Sequence, residues 1–257
     1  MTFRVITWNI LAHAYINRGR YLKEAVEPTL RRRLLLERIA MLEADLVLLQ
    51  EVEPDAFEAI VSQLGSGFVG QYAPKPGKPE GVALLARRSR VQLSHTERLL
   101  YRSQGRGGAH VAQLALVEVD GRKLVVGNTH LKWEPARTPR DRHVGYRQLM
   151  ELLDQSERFG PGEAWIVGGD FNATSQSHPV TGALERGMQL SCRTQRPWDT
   201  CNINGKRRKL DYLLYTPATL RPQPGQLPAL ERDTPMPSMT WPSDHLAVEV
   251  EFSWVDA

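Results

Sequence analysis

The stretch from Trp165 to Asn172, "WIVGGDFN", decides how the rest of the chain is read. An apolar run climbs to two glycines and then stops at a carboxylate, a ring and an amide. A core strand has no use for Asp and Asn at its end, so this strand is read as one that delivers Asp170 and Asn172 to a cleft. Strand ends hold such groups rigidly while leaving them open to a ligand. Gly168 and Gly169 carry almost no side-chain bulk, so backbone or substrate can pass close by.

Other strand-like runs end in the same way. "ITWN" closes on Asn9 within an opening strand over Phe3–Leu11, "DLVLLQ" (Asp45–Gln50) leads into Glu51, and "KLVVGNTHL" carries His130. "KPEG" sets Glu80 just before the strand Gly81–Arg87, "KLDYLLY" puts Asp211 at a strand start, and "SDH" sets Asp244 and His245 before the last strand, "HLAVEVEF". Leu35, Ile39 and Leu42 at helical spacing predict a helix over Thr29–Glu43, and further helices are expected over Pro54–Leu64 and Arg140–Arg158. Asp120-Gly121 between two apolar runs predicts a hairpin. Residues 216–243 hold seven of the 17 prolines and read as a long irregular loop, a kind that is usually functional. Hairpins mixed with helix-separated strands predict an α+β fold, sheets packed face to face with helices outside.

The 257 residues, 41% hydrophobic, suffice for one sizeable core. The net charge of +4 is clustered at Arg31–Arg33, Arg87–Arg90, Arg137–Arg142 and Lys206–Lys209, which suggests an anionic partner such as nucleic acid. For any single cluster, a solvated helix face or loop is the stronger explanation. No run approaches the length of a membrane span, and "MTFRVITWNI" reads as a strand and not as a secretory leader. A soluble cytoplasmic monomer with Cys192 and Cys201 reduced is the expectation.

The candidate residues share one chemistry. Glu51, Asp170 and Asp244 are hard oxygen ligands, with Asn9 and Asn172 as neutral oxygen donors. That set suits Mg²⁺, or Mn²⁺, and not Zn²⁺, because neither cysteine lies near a His at zinc spacing. His130 and His245 can donate to a phosphoryl oxygen or a leaving group. A carboxylate beside each His would fix its tautomer, and Glu80 and Asp211 are free for that work. The constellation reads as metal-assisted attack of water on phosphorus. Singly, each residue has a plainer explanation: a turn Asn, a helix-start Glu, a structural His. All of those would have to hold at once, at strand ends, in one chain.

Seven segments, in their order along the chain, resemble the endonuclease/exonuclease/phosphatase superfamily of metal-dependent phosphodiesterases. They are "WN" (Trp8–Asn9), "LQEVE" ending at Glu53, "EGVALLAR" (Glu80–Arg87), "NTHL" (Asn128–Leu131), "GGDFNA" (Gly168–Ala173), "LDYLLY" (Leu210–Tyr215) and "SDH" (Ser243–His245). The resemblance spans nearly the whole chain. It implies one catalytic domain over residues 1–257, a four-layer α/β/β/α sandwich of two mixed sheets flanked by helices, with the site at one edge. It also implies roles. Glu51 would bind the catalytic Mg²⁺ with Asn9 and Asp244 close by, and Asp170, helped by Asn172, would orient or deprotonate water. His245 paired with Asp211 would stabilise the transition state, and His130 paired with Glu80 would be the second phosphate-facing histidine. "WNILAHAYI", "LLQEVE" and "NTHLKW" look most like the branch of the deadenylases, nocturnin and the Angel proteins, which act on RNA ends or small nucleotides. His110 stands where deadenylases tend to carry an Asn, and could itself face substrate.

For the substrate, Trp133 and Trp241 are placed at the cleft rim, where a ring can stack on a base; packing of the Pro-rich loop is the equal alternative. Arg137, Arg140 and Arg142 could hold flanking phosphates. RNA or a nucleotide is the leading substrate, with DNA or a phospholipid head group, on the same chemistry, as the competing enzyme reading. A non-catalytic binding module would need one of the metal or proton-transfer residues to be missing, and none is.

Overall fold

The computed structural model describes residues 1–18, 21–105, 108–192 and 198–255. Its strands and helices run β1 (Thr2–Asn9), α1 (Pro28–Ala40), β2 (Leu46–Val52), α2 (Pro54–Leu64), β3 (Phe68–Pro74), β4 (Gly81–Arg87), β5 (Val91–Leu100), β6 (Val111–Val119), β7 (Arg122–His130), α3 (Val144–Phe159), β8 (Ala164–Asp170), α4 (His178–Glu185), β9 (Gln189–Leu190), β10 (Cys201–Ile203), β11 (Lys206–Arg208), β12 (Asp211–Tyr215), β13 (Leu220–Pro224) and β14 (Val248–Trp254).

The strands form two six-stranded sheets and one small hairpin. The first sheet has the order β13-β14-β1-β2-β4-β3 and the second β5-β6-β7-β8-β12-β9, with β10-β11 apart. Each large sheet is mixed: β1–β2 and β7–β8 are parallel, and the other pairings in both sheets are antiparallel. Inward faces of both sheets interdigitate through Val5, Leu46, Leu48 and Leu84 on one side and Val117, Val126, Ile166 and Leu213 on the other. α1 and α2 bury Leu35, Ile39 and Ile60 on the outer face of the first sheet, and α3 buries Leu149, Leu152 and Leu153, with Val180 and Ala183 of α4, on that of the second. The four-layer sandwich is thus the expected α+β architecture.

Three of the differences from the sequence expectation have a local physical cause. The Pro-rich 216–243 stretch holds an edge strand, β13, which pairs with β14 through Pro222 and Pro224. A proline lacks the ladder donor, and an edge strand tolerates that. The third large helix begins at Val144 and not at Arg140, because His143 caps it: its Nδ1 accepts from the Tyr146 N–H at 3.2 Å. The opening strand ends at Asn9, where the Asn9 Oδ1 accepts from the Leu11 N–H at 3.0 Å and Leu11 turns to φ 58°.

Candidate active site

Strand register brings the candidates together. In the second sheet His130 lies beside Asp170 across β7–β8, and Asp170 beside Asp211 across β8–β12. In the first sheet Asn9 pairs with Gln50, and Val52 with Gly81 just after Glu80, with Glu51 left over as a bulge between them. At φ 55° the bulge turns the Glu51 side chain out of the ladder and into the cleft, the re-aiming that bulges provide beside active sites. Both rows open on one cleft of about 430 Å³, lined by Glu51, Glu80, His130, Asp170, Asn172, Asp244 and His245 among others.

The two glycines of the opening stretch have separate reasons. A Cβ on Gly169, at φ 150°, would stand 1.8 Å from the Thr129 carbonyl oxygen of the parallel neighbour. On Gly168 it would meet Leu213 at 2.6 Å and Leu48 of the opposite sheet at 2.8 Å. Close backbone and close sheet packing are what they permit, and the strand end follows at once. Asp170 Oδ1 accepts from the Asn172 N–H at 2.8 Å in an Asx-type turn that throws Asn172 into the left-handed region, φ 50°.

Hydrogen bonds then fix each side chain. Asn9 Nδ2 donates to Glu51 Oε1 and to Asp170 Oδ2, both at 3.0 Å, so the amide bridges the two sheets' carboxylates. His245 Nδ1 lies 2.9 Å from Asp211 Oδ2, and its Nε2 stands 3.8 Å from Asp170 Oδ2. Thr200 Oγ1 donates to Asp211 Oδ2 at 2.6 Å and accepts from the N–H groups of Leu210 and Asp211, and Asp211 is fully buried. Ser243 Oγ donates to the Asn9 carbonyl at 2.7 Å and Trp8 Nε1 to the His245 carbonyl at 2.9 Å, so the "WN" and "SDH" segments are stitched together. Tyr21 donates to Asp244 Oδ2 at 2.8 Å.

One expected pairing is corrected. Glu80 does not touch His130; Lys75 stands between them, donating to Glu80 Oε1 at 2.8 Å with its Nζ 3.2 Å from His130 Nδ1. A neutral imidazole accepts at one nitrogen only, so Lys75 at Nδ1 competes with Asn172 Nδ2, 3.0 Å from Nε2. The charged, buried ammonium is the stronger donor. Asn172 keeps its bond to the Leu131 carbonyl at 3.1 Å, and Lys75 at Nδ1 favours the His130 tautomer with its proton on Nε2.

The two histidines therefore differ in charge. Burial, then the positive charge of Lys75, holds His130 well below the usual imidazole range, and it is neutral. Burial also penalises a cation at His245, but the carboxylates of Asp211 and Asp170 outweigh it and hold that ring well above the ordinary value. His110, partly buried and near Lys75, is pushed down to about 4. Asp170 is pushed up to about 6 by burial, with Asp211 adding and His245 opposing.

A divalent cation fits the donor set. Glu51 is pushed up to about 7 by burial, with the Asn9 bond opposing and the negative charges of Asp244 and Glu80 adding. Crowded carboxylates in a cleft are what a hard cation relieves. Asp170, Asp211 and His245 also have ligand atoms within 4.8 Å of one another. The cationic ring is hydrogen-bonded to Asp211 and stands 3.8 Å from Asp170, and so already supplies the counter-charge of both carboxylates.

The remaining candidates divide. His110 and Trp133 line the cleft, Trp133 half exposed. Trp241 does not: it packs with Leu230, Met236 and Leu246 under the Pro-rich segment, with Arg38 over its ring, so the packing alternative holds for it. Arg140 is taken by a bidentate ion pair with Glu185 and by the Tyr146 ring, and neither it nor the exposed Arg137 and Arg142 is among the cleft-lining residues. Among the described residues, Lys75, Lys78 and Lys132 do line the cleft, and sequence reading passed over them. Their signals were the "KPGKPEG" loop before Glu80 and the Lys two residues after His130; Tyr15, Tyr21 and Thr200 had none.

Paired carboxylates beside one neutral and one cationic histidine, at the joined edge of a two-sheet sandwich, define a metal-dependent phosphoester hydrolase. Residues 6–245 match the Endonuclease/Exonuclease/phosphatase family, and the chain belongs to it. Within it the chain is similar to the nocturnin and Angel branch. It is 31% identical to nocturnin of Xenopus laevis, over 98% of this chain and 73% of that protein. Against nocturnin of Homo sapiens it is 29% identical, over 98% of this chain but only 65% of that one. The solved human nocturnin catalytic domain with a bound sulfate anion superposes with TM-score 0.78 at 27% identity, covering 99% of this chain and 95% of that one. The fold is also that of ANGEL2, a 2',3'-cyclic phosphatase, in complex with adenosine-2',3'-vanadate, at TM-score 0.80 and 20% identity over 98% and 95%.

Proposed function

We propose that the chain hydrolyses phosphoester bonds in RNA or a nucleotide with Mg²⁺, Mn²⁺ being the alternative ion. The observation that carries this reading is Asp170 Oδ2, which stands 3.8 Å from both His130 Nε2 and His245 Nε2 on the floor of a cleft walled by lysines. Glu51 and Asp244 would hold the ion, with Asn9 aligning the carboxylates. A bound divalent ion would neutralise charge on the phosphoryl oxygens.

The chain's own residues supply the rest. Asp170 takes a proton from the attacking water, its other oxygen held by the Asn172 N–H. His130, neutral, donates its Nε2–H to a phosphoryl oxygen. His245, cationic and held by Asp211, stabilises the charge that develops on the pentacovalent phosphorus and its leaving oxygen. Lys78 and Lys132 line the wall where a second phosphate of the substrate would lie, and Trp133 offers a ring to a base.

The names of the relatives agree with a nucleic-acid or nucleotide substrate: one is a 2',5'-phosphodiesterase of Mus musculus, 25% identical over 98% of this chain and 52% of its own length. Cytoplasmic residence agrees with two free, buried cysteines, and no helix among the described residues is long and apolar enough to cross a membrane.

The test is incubation with Mg²⁺, and with EDTA, against RNA bearing 3′-hydroxyl, 3′-phosphate or 2′,3′-cyclic ends, abasic duplex DNA, NADPH and sphingomyelin. Turnover of an RNA end or the dinucleotide, abolished by EDTA, is expected. Turnover confined to abasic DNA or sphingomyelin would replace the substrate, and full activity in EDTA would remove the metal.

A further inference from the structure

Arg31, on the first turn of α1, is 5% exposed. Its Nη1 donates to the Ile10 carbonyl at 3.0 Å and to the Pro242 carbonyl at 3.2 Å. Ile10 follows Asn9 directly, and Pro242 stands two residues before Asp244. One buried guanidinium nitrogen thus ties the backbone of a segment near the start of the chain to one near its end, the same two segments that Ser243 and Trp8 stitch.

The cost of keeping a charge there is large. Burying a guanidinium costs several kcal/mol unless its bonds and neighbours offset it. Its Nε is buried with no partner, and the residue lines a cavity of about 150 Å³ between α1 and α2 together with Leu35, Ile60 and Glu51. An aliphatic residue would fill that space more cheaply, as Leu35 and Ile39 do further along the same helix. A helix packed only for stability has no use for Arg31. A site whose two oxygen-bearing segments lie over 230 residues apart in sequence does.

We propose that Arg31 is a positioning residue for the cation site: it clamps the Asn9 and Asp244 segments at the separation at which Glu51 and Asp244 can share one ion. This rests on the metal reading above.

Charge alone makes the opposite prediction. Arg31 is a cation within reach of the fields of Glu53, Asp244 and Glu51. Removing it should tighten binding of another cation if it acts only through charge, and weaken it if it acts by holding the ligands in place. Groups that orient metal ligands typically matter by 10–100-fold in affinity.

The experiment reads free Mn²⁺ by electron paramagnetic resonance in the full chain without substrate. Arg31→Met is expected to bind Mn²⁺ about 10-fold more weakly, and Arg31→Lys, which keeps a donor on a shorter reach, to fall between it and the wild type. Ile39→Val, on the same helix, should lower the melting temperature and leave Mn²⁺ affinity unchanged. Should Arg31→Met fail to fold, Arg31→Lys against Ile39→Val carries the comparison. Binding by the Arg31 variants that equals or exceeds wild type, or a loss in Ile39→Val as large as theirs, overturns the clamp. Glu51→Gln separates the two readings. Weakened binding there with none in the Arg31 variants sinks the clamp alone, whereas unchanged binding in Glu51→Gln sinks the metal assignment and the clamp with it.

Discussion

At the residue scale two carboxylates of the site, Glu51 and Asp170, hold their protons too tightly for their type, and this has a consequence for stability. Glu51 is pushed up to about 7 by burial, with Asn9 opposing and Asp244 and Glu80 adding. In the unfolded chain it would titrate near 4.3. The folded state therefore binds a proton that the unfolded state releases, so the associated stability is present below the unfolded value and lost as pH rises through about 7. In EDTA the melting temperature should fall between pH 5 and pH 8, and Mg²⁺ should restore more of it at pH 8 than at pH 5. Glu51→Gln should flatten both effects. A Glu51→Gln profile that tracks wild type would mean the carboxylate crowding is not at Glu51. The candidates at strand ends were legible in the sequence because Asn, Asp and His are conspicuous after apolar runs. Lys75 was not, because nothing in "KPGKPEG" announces that a lysine folds back to stand between Glu80 and His130.

At the element scale, β8 carries the main part of the argument, and its two glycines separate what a turn needs from what a close approach needs. Gly121 in the β6–β7 turn sits at φ 75° with open space around it, so Gly121→Ala costs backbone strain only, about 1 kcal/mol. Gly169→Ala combines φ 150° with a Cβ 1.8 Å from the Thr129 carbonyl oxygen, and β7 or β8 must move. On the order of 3 kcal/mol or more is expected there, since overpacking alone costs 1–3. Urea unfolding of both variants checks the contrast; equal losses would mean that β8 yields freely. The Asp120-Gly121 hairpin was legible because its turn chemistry is local. So were α2 and β4, whose observed limits match the expected ones. The edge strand β13 was not, because its prolines argue against any strand until β14 is known to lie beside it. Nor was the capping of α3 by His143, a residue with no standing as a cap signal.

At the scale of the whole molecule, the candidate site depends on how the two sheets sit against each other, because each supplies part of its groups. Asn9, Glu51 and Glu80 come from the first sheet, and His130, Asp170 and Asp211 from the second. Behind the cleft, between hydrophobic layers, the sheets share a pair of fully buried amides. Gln50 Nε2 on β2 donates to Asn128 Oδ1 on β7 at 2.8 Å, and Asn128 Nδ2 donates to the carbonyls of Leu49 and Ala83 at 3.1 and 2.9 Å. The sequence showed Asn128 only as part of "NTH", and a contact across two sheets cannot be read from either strand alone. Apolar packing has no fixed register, whereas directed hydrogen bonds do, so these amides should set the offset of one sheet on the other. Asn128→Leu keeps roughly the volume and removes every bond. It should destabilise the fold by about 1–3 kcal/mol, the cost of leaving a buried polar partner unmet. Activity should fall further than unfolding explains, because a displacement of about 1 Å between reacting groups can cost 10²-fold in rate. The measurement is kcat at a temperature well below the melting transition, where nearly every molecule is folded. A kcat on the order of 10-fold lower there would mean that the amides align the two halves of the site. A kcat equal to wild type in the folded variant would mean that apolar packing alone holds the sheets in register.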